Sequence, residues 1–281
     1  MECSGLLKVG VLGPLIMANA EGEVSHLPPK PRTVFALVAA DPDQVVSAEN
    51  MVDELWRERP PRTATTTVQT YVGQVRRLMG ALTGLGTDQV AERVLITEGG
   101  GYRLSTEMVD IDTVEYTRLT RAGCAAASAG DHERAAALFR DALALWRGPA
   151  LVNVDAGTRL LAQATRLSEA RLSTLEHRIR AEMSAGGHAD LIGELAELVA
   201  LYPLHEVFHE YFILALYRSA RRAEALGVLA ALQNRLRDEL GLDLSPRLRA
   251  LQARVLRDDQ ELLSGGVWGP GVSGSRVGTT R

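Results

Sequence analysis

Apolar residues recur at Val68, Val72, Val75 and Met79, at spacings of 4, 3 and 4, which predicts an amphipathic helix within 62–79. The opposite face carries Thr65, Thr66, Gln69, Thr70, Gly73, Gln74, Arg76 and Arg77. It therefore holds hydroxyl, amide and guanidinium groups and no carboxylate, a set able to hydrogen-bond base edges and phosphates. Pro60-Pro61 ahead of it favours an extended lead-in and then a helix start. Upstream, Met51, Val52, Leu55 and Trp56 form the inward stripe of another helix. Ser47 is its expected N-cap, and Glu49 stands in its first turn. A shorter apolar helix over 34–40 is stopped by Asp41-Pro-Asp43, and the basic segment Pro28-Pro-Lys-Pro-Arg-Thr33 is expected to lead into it in extended form.

Short β-prone runs cover 6–13 and 14–18, with a turn at 19–22 into 23–27 and a minimal strand at Val45-Val46. Residues 80–88 read as a Gly/Thr-rich loop. Residues 93–97 and 102–105 read as a hairpin around Glu98-Gly-Gly-Gly101. Strands, three short helices and a closing hairpin, in that order, predict an α+β winged helix-turn-helix of the response-regulator type over residues 1–108. In that fold the last helix enters the major groove and the hairpin reaches the neighbouring backbone.

The pattern then changes. Ala and Leu recur at helical spacing through 113–129, 132–146, 157–185, 189–201, 206–219, 221–240 and 246–257, predicting an all-α second domain over 109–263. Three segments align, each between two apolar helices: Ser128–Ala135, Ser184–Leu191 and Arg218–Ala225. The offset from Gly186 to Ala220 is 34 residues, the tetratricopeptide period. Stacked helix pairs of this kind build protein-binding surfaces. The Gly-rich tail, 264–281, has too little apolar content to be expected to order.

Composition narrows the function classes. The net charge of −4 argues against indiscriminate polyanion binding, yet 55–80 contains Arg57, Arg59, Arg62, Arg76 and Arg77 against Glu58 alone. A focused basic segment on a mildly acidic body fits a specific, salt-sensitive nucleic-acid contact. With two cysteines, no signal-peptide pattern and no membrane-length apolar run, the expected location is the cytoplasm, at the nucleoid. His205-Glu-Val-Phe-His209 matches the H-E-x-x-H zinc pattern, but it opens a helix after Pro203 inside the repeats and lacks a third ligand. It is read as a helix start with packing roles. Neither a dinucleotide fingerprint nor a P-loop occurs, so no catalytic residue, metal ligand or cofactor is expected. Trp56, Trp146 and Tyr217 lie on apolar stripes and are expected in the core, as is Cys124 as a small hydrophobe.

The segments Gly10-Val-Leu-Gly-Pro-Leu15, Pro29-Lys-x-Arg32, Val45-Val-Ser47, Leu55-Trp56, Pro60-Pro61, Val68-Gln-Thr-Tyr-Val72, Arg76-Arg-Leu78 and Gly101-Tyr102 together resemble the DNA-binding half of the Streptomyces antibiotic regulatory protein family. Ala142–Leu151, Tyr202-Pro-Leu204, Leu214–Arg218, Ala223–Leu226 and Glu239–Asp243 resemble that family's bacterial transcriptional activator domain. The resemblance implies a sequence-specific activator of antibiotic biosynthesis genes. It also implies binding to direct repeats in double-stranded DNA as a head-to-tail homodimer, with the helical half contacting RNA polymerase. On this footing Thr65, Thr66, Gln69, Thr70, Gly73 and Gln74 are assigned to base edges and flanking phosphates, and Arg76 and Arg77 to phosphates. Arg62 and Thr67 join the set at the helix start. Lys30, Arg32 and Thr33 would anchor the other strand, and Tyr102 and Arg103 would form the wing contact. The chain departs from the family pattern at Thr65-Thr66 and Gly73-Gln74, where the groove face is less basic. It departs again at Gly99-Gly100-Gly101, which implies a looser hairpin tip. The competing reading is a tetratricopeptide-like adaptor carrying a non-functional winged helix.

Overall fold

A computed structural model describes residues 7–57 and 59–263; the expected tail lies outside them. The first strands follow the alternation of the sequence. In β1 (Leu7–Gly10) Leu7 and Val9 point inward while Lys8 is exposed. β1 pairs antiparallel with β2 (Ile16–Asn19), which pairs with β3 (Val24–Ser25). Helix α1 runs Pro29–Ala40. This corrects the extended lead-in: Pro29 has no N–H to satisfy and its fixed φ suits a first helical position, so the helix starts there. β4 (Val46–Ser47) leads into α2 (Ala48–Trp56), and the Ser47 hydroxyl accepts from the Asn50 amide at 3.1 Å, the expected N-cap.

Helix α3 spans Ala64–Thr83 and buries Val68, Val72, Val75 and Met79, the predicted stripe, together with Ala64. It runs past residue 80 and closes at Gly84, whose φ of 74° is the left-handed cap that glycine supplies. An unexpected short helix, α4 (Thr87–Arg93), follows; Gln89 accepts from the Gly86 amide at 3.0 Å, and Val90 is its one buried residue. β5 (Leu95–Glu98) and β6 (Gly101–Leu104) form the hairpin, and β6 also pairs with β4. Gly99 and Gly100 both have positive φ, 56° and 76°, the requirement of a tight two-residue turn. The tip is therefore closed rather than loose. Gly101 is needed for another reason: a Cβ there would lie 2.3 Å from the Val46 carbonyl oxygen, so only glycine permits the β4–β6 pairing.

A further strand that the sequence pattern did not reveal, β7 (Val109–Ile111), runs parallel to β1 with Leu7 opposite Val109. Seven further α-helices follow, α5 (Asp112–Ser128), α6 (His132–Ala144), α7 (Thr158–Ser184), α8 (Ile192–Leu201), α9 (Glu206–Arg218), α10 (Arg222–Leu240) and α11 (Pro246–Leu256), and then a 3-10 turn at Gln260–Leu262. The architecture is thus a small α+β winged-helix region followed by an all-helical region. None of its helices, among the described residues, is long and apolar enough to cross a membrane.

Packing groups the chain differently from the linear division at 108/109. Among the described residues, one compact unit comprises 7–57, 59–123 and 138–175, the other 124–137 and 176–263. Within the first unit, Glu54 of α2 is 6% exposed and accepts from the backbone amides of Arg159 and Leu160 at 2.9 and 3.1 Å, serving as the anionic cap of α7. Asp112 accepts from the amides of Val11 and Leu12 and pairs with Arg147 at 2.9 Å. These long-range caps hold the start of the helical segment to the β1 loop and α2.

Within the second unit, α9 packs against α8 and α10, and α11 packs on α9 and α10. The aligned turns share one local geometry. Gly130, Gly186 and Ala220 all have positive φ, at 81°, 92° and 60°. In each case the next residue's amide reaches back five positions: Asp131 to Ala126, Gly187 to Glu182, Arg221 to Leu216. This is the Schellman closure of a helix C-terminus, and it gives the repeat a physical basis.

Candidate nucleic-acid interface

Because the stripe of α3 is consumed by the core, its other face is left outward. Thr65, Thr66, Gln69, Thr70 and Arg77 are exposed, and Thr67, Gly73, Gln74 and Arg76 are half-buried. The hydroxyls of Thr67 and Thr70 donate back to the carbonyls of Thr63 and Thr66 at 2.8 and 3.0 Å. Their donors are engaged by the helix while their lone pairs stay available, which suits acceptance from a base amine or from water. Arg77 bonds only its own helix, Nε to the Gly73 carbonyl at 3.3 Å, and Arg62 makes no ion pair among the described residues. Both guanidinium groups remain open to an anion.

Arg76 behaves differently from its neighbour. Its Nε and Nη2 donate to the Leu95 carbonyl at 3.0 and 2.6 Å, and Nη2 also donates to the Thr97 hydroxyl at 2.7 Å. The guanidinium lies 5.7 Å from the centre of the Tyr102 ring. Arg76 thus clasps α3 to the hairpin, and burial lowers its pKa from the ordinary arginine value. The clasp fixes the wing against the helix and leaves this cation little freedom to meet a phosphate. Tyr102 is 7% exposed and belongs to the core, so its ring is not presented at the wing surface. Arg103 is half-buried and committed, with Nε on Glu98 at 2.9 Å and Nη1 3.7 Å from Asp43.

At α1, Lys30 is exposed, its ammonium 4.9 Å from the Trp56 ring centre. Arg32 donates to the carbonyls of Asn153 and Leu27 at 2.9 and 2.8 Å. Thr33 is 2% exposed, with its hydroxyl on the carbonyls of Pro29 and Asp155, so it cannot anchor a DNA strand. The helix N-terminus itself is a poor anion site, because Pro29 and Pro31 have no N–H and the Arg32 amide is bonded to Pro28. Of the three residues expected here, Lys30 alone stays open.

The H-E-x-x-H segment does not converge on a point. His205 pairs with Glu176 at 3.2 Å and stacks on Phe208 at 4.3 Å, while buried His209 turns its Nδ1 to the His205 carbonyl at 3.2 Å. No group of three or more His, Cys, Asp or Glu able to hold a metal occurs among the described residues. Trp146 and Tyr217 are in the core, at 9% and 3% exposure. Cys124, expected to be buried, is exposed; Gly123 occupies the inward position of α5, against the Phe139 ring.

Residues 22–104 match the model described as transcriptional regulatory protein, C terminal, and residues 111–256 match the bacterial transcriptional activator domain. Regulatory protein DnrI of Streptomyces peucetius is 40% identical over 253 residues, covering 90% of this chain and 93% of that one. The chain belongs to the Streptomyces antibiotic regulatory protein family. Regulatory protein AfsR of Streptomyces coelicolor is 38% identical, and the chain spans 25% of its length. The solved structure of Mycobacterium tuberculosis EmbR in complex with a low affinity phosphopeptide superposes with a TM-score of 0.84 at 32% identity, over 91% of this chain and 66% of that one. As a member of this family the chain is a DNA-binding transcriptional activator.

Proposed function

We propose that the chain activates antibiotic biosynthesis genes by inserting α3 into the major groove of direct repeats upstream of a promoter. In this reading it binds as a head-to-tail homodimer, and its helical region contacts RNA polymerase. The observation that carries the reading is the outward face of α3, where Thr65, Thr66, Gln69 and Thr70 are exposed with no carboxylate among them and open arginines stand at either end. Gln69, Gln74 and the threonines meet base edges or flanking phosphates, with Gly73 allowing close backbone approach. Arg62, Arg77 and Lys30 hold phosphates. Arg76 and Tyr102 contribute by fixing the wing, and Arg103 contributes to the wing through its ion pairs. Membership of a family of antibiotic regulators supports the choice of target genes.

Quantitative gel shifts on the upstream region of neighbouring genes, at several salt concentrations, test this. Arg77→Ala should weaken binding to all sequences alike and reduce the salt slope by about 1, whereas Gln69→Ala should cost about 1–3 kcal/mol and relax one base position. A shift that is absent, or that ignores both salt and Arg77, would leave the adaptor reading in its place.

A further inference from the structure

We propose that the groove between the end of α1 and helices α5 and α7 is a binding site for a small amphipathic organic anion, with Arg121 taking its negative charge. The groove lies within the first compact unit and has a volume of about 550 Å³, inside the range of roughly 300–1,000 Å³ typical of small-molecule sites. Its wall is largely apolar, built from Ala40, Pro42, Val114, Leu167 and Ala170, and Val114 is 44% exposed there. An exposed valine in a concave wall is surface that a ligand body would remove from water.

The floor is stiff. Tyr116 is buried, its hydroxyl lies 2.6 Å from the Thr174 hydroxyl and 2.8 Å from the Ala170 carbonyl, and its ring stands edge-on to Trp146 at 5.8 Å. A site held this way is pre-formed, so little ordering free energy is spent on binding.

Three arginines line the groove, and their commitments differ. Arg118 is held bidentate by Glu115 at 2.6 and 2.7 Å. Arg166 is divided between Gln163 at 2.8 Å and Asp41 at 3.7 Å, while Asp41 also accepts from the Gln163 amide. Arg121 is exposed and has neither an ion pair nor a hydrogen bond among the described residues. The acidic groups are thus occupied and one guanidinium is not, which favours an anion over a cation. In the same wall the Thr113 hydroxyl is buried without a hydrogen-bond partner. An unmade bond of this kind is costly, and a ligand acceptor met by rotation of the side chain would relieve it. Asp41 and Arg166 also line a neighbouring cavity of about 260 Å³.

The test uses the full chain and anilinonaphthalene sulfonate, an aromatic anion whose fluorescence reports apolar binding. Saturable binding is expected. Arg121→Ala should weaken it roughly tenfold, as expected for loss of a charge-assisted bond, and Val114→Asp should weaken it by at least as much. Arg121→Lys should recover part of the affinity, and uncharged phenylnaphthylamine should bind more weakly than the sulfonate. Both altered residues are exposed, and circular dichroism melts would establish that the variants fold. Affinity unchanged by Arg121→Ala, or lowered equally by Leu201→Ala at an exposed leucine outside the groove, would overturn the proposal. The outcome is independent of the gel shifts: either can fail while the other stands.

Discussion

Helices α3 and α9 both carry strong apolar sequence, yet they are used in opposite ways. α3 buries five of its twenty residues along one stripe, while α9 buries nine of its thirteen, nearly all round. The polar groups on α9 are accordingly closed. Glu210 is bound by Arg247 at 2.7 Å, Tyr211 accepts from Arg180 at 2.8 Å, and Tyr217 donates to Asp258 at 3.0 Å. On α3 the outward Thr70 hydroxyl and Arg77 bond only carbonyls of their own helix, which leaves the hydroxyl's lone pairs and the remaining guanidinium N–H groups for an external partner. A helix that scaffolds other helices must complete its hydrogen bonds inside the fold, whereas one that reads an external molecule must keep them in reserve.

The sharpest way to break this comparison is to open a closed pair on α9. Arg247→Ala strands the Glu210 carboxylate, which is 2% exposed, and should cost about 2–3 kcal/mol in urea denaturation at neutral pH. The lower end applies because Arg247 itself is over a third exposed. Burial already raises the Glu210 pKa, so the loss should shrink as pH falls and the carboxyl protonates; a loss that does not depend on pH would refute the assignment.

Next in size is the contrast between two adjacent arginines of α3. Arg76→Gln removes the clasp and leaves the Leu95 carbonyl short of its donors, at about 1–2 kcal/mol of stability. Arg77→Gln should stay within about 0.5 kcal/mol of the unaltered protein in the same denaturation assay. Equal effects would mean that the clasp contributes nothing to stability.

A smaller effect lies in pH. Burial pushes the His209 pKa below its ordinary value of 6.5, with a smaller opposing effect from its bond to the His205 carbonyl. The folded state therefore prefers the neutral ring. Its contribution is complete above pH 6.5 and is lost as pH falls from there towards the depressed folded value, at a slope of at most about 1.4 kcal/mol per pH unit. His209→Gln should flatten the stability profile between pH 5 and 7, roughly the window that histidine controls. The smallest effect concerns the third repeat turn, where Ala220 holds a φ of 60° that glycine holds in the other two. Ala220→Gly should raise stability by about 0.5 kcal/mol, the relief of left-handed strain less the entropy of the freer unfolded chain, and a thermal melt would show it.

Much of the fold was legible because its signals are local. The Val68–Met79 stripe, the Ser47 cap, the Gly-Gly turn and the repeat turns each depend on residues within a few positions of one another. Strand β7 and helix α4 were not legible. β7 is three residues long and exists only because β1 lies beside it, and α4 buries a single valine, too few positions to form a period.

The candidate site divided along the same line. Sequence alone determined which residue types stand on the outward face of α3, since helical periodicity assigns them once the stripe is known. Only the tertiary structure decided which of them are free. Arg76 and Arg77 are indistinguishable as letters, yet one meets a carbonyl 19 positions away and the other, among the described residues, bonds only within its own helix. Thr33 and Tyr102 were lost to the core, and Arg32 to a carbonyl 121 positions away. The physical reason is that helical shape depends on neighbours in sequence, while the availability of a polar group depends on whatever the fold brings within hydrogen-bonding reach of it.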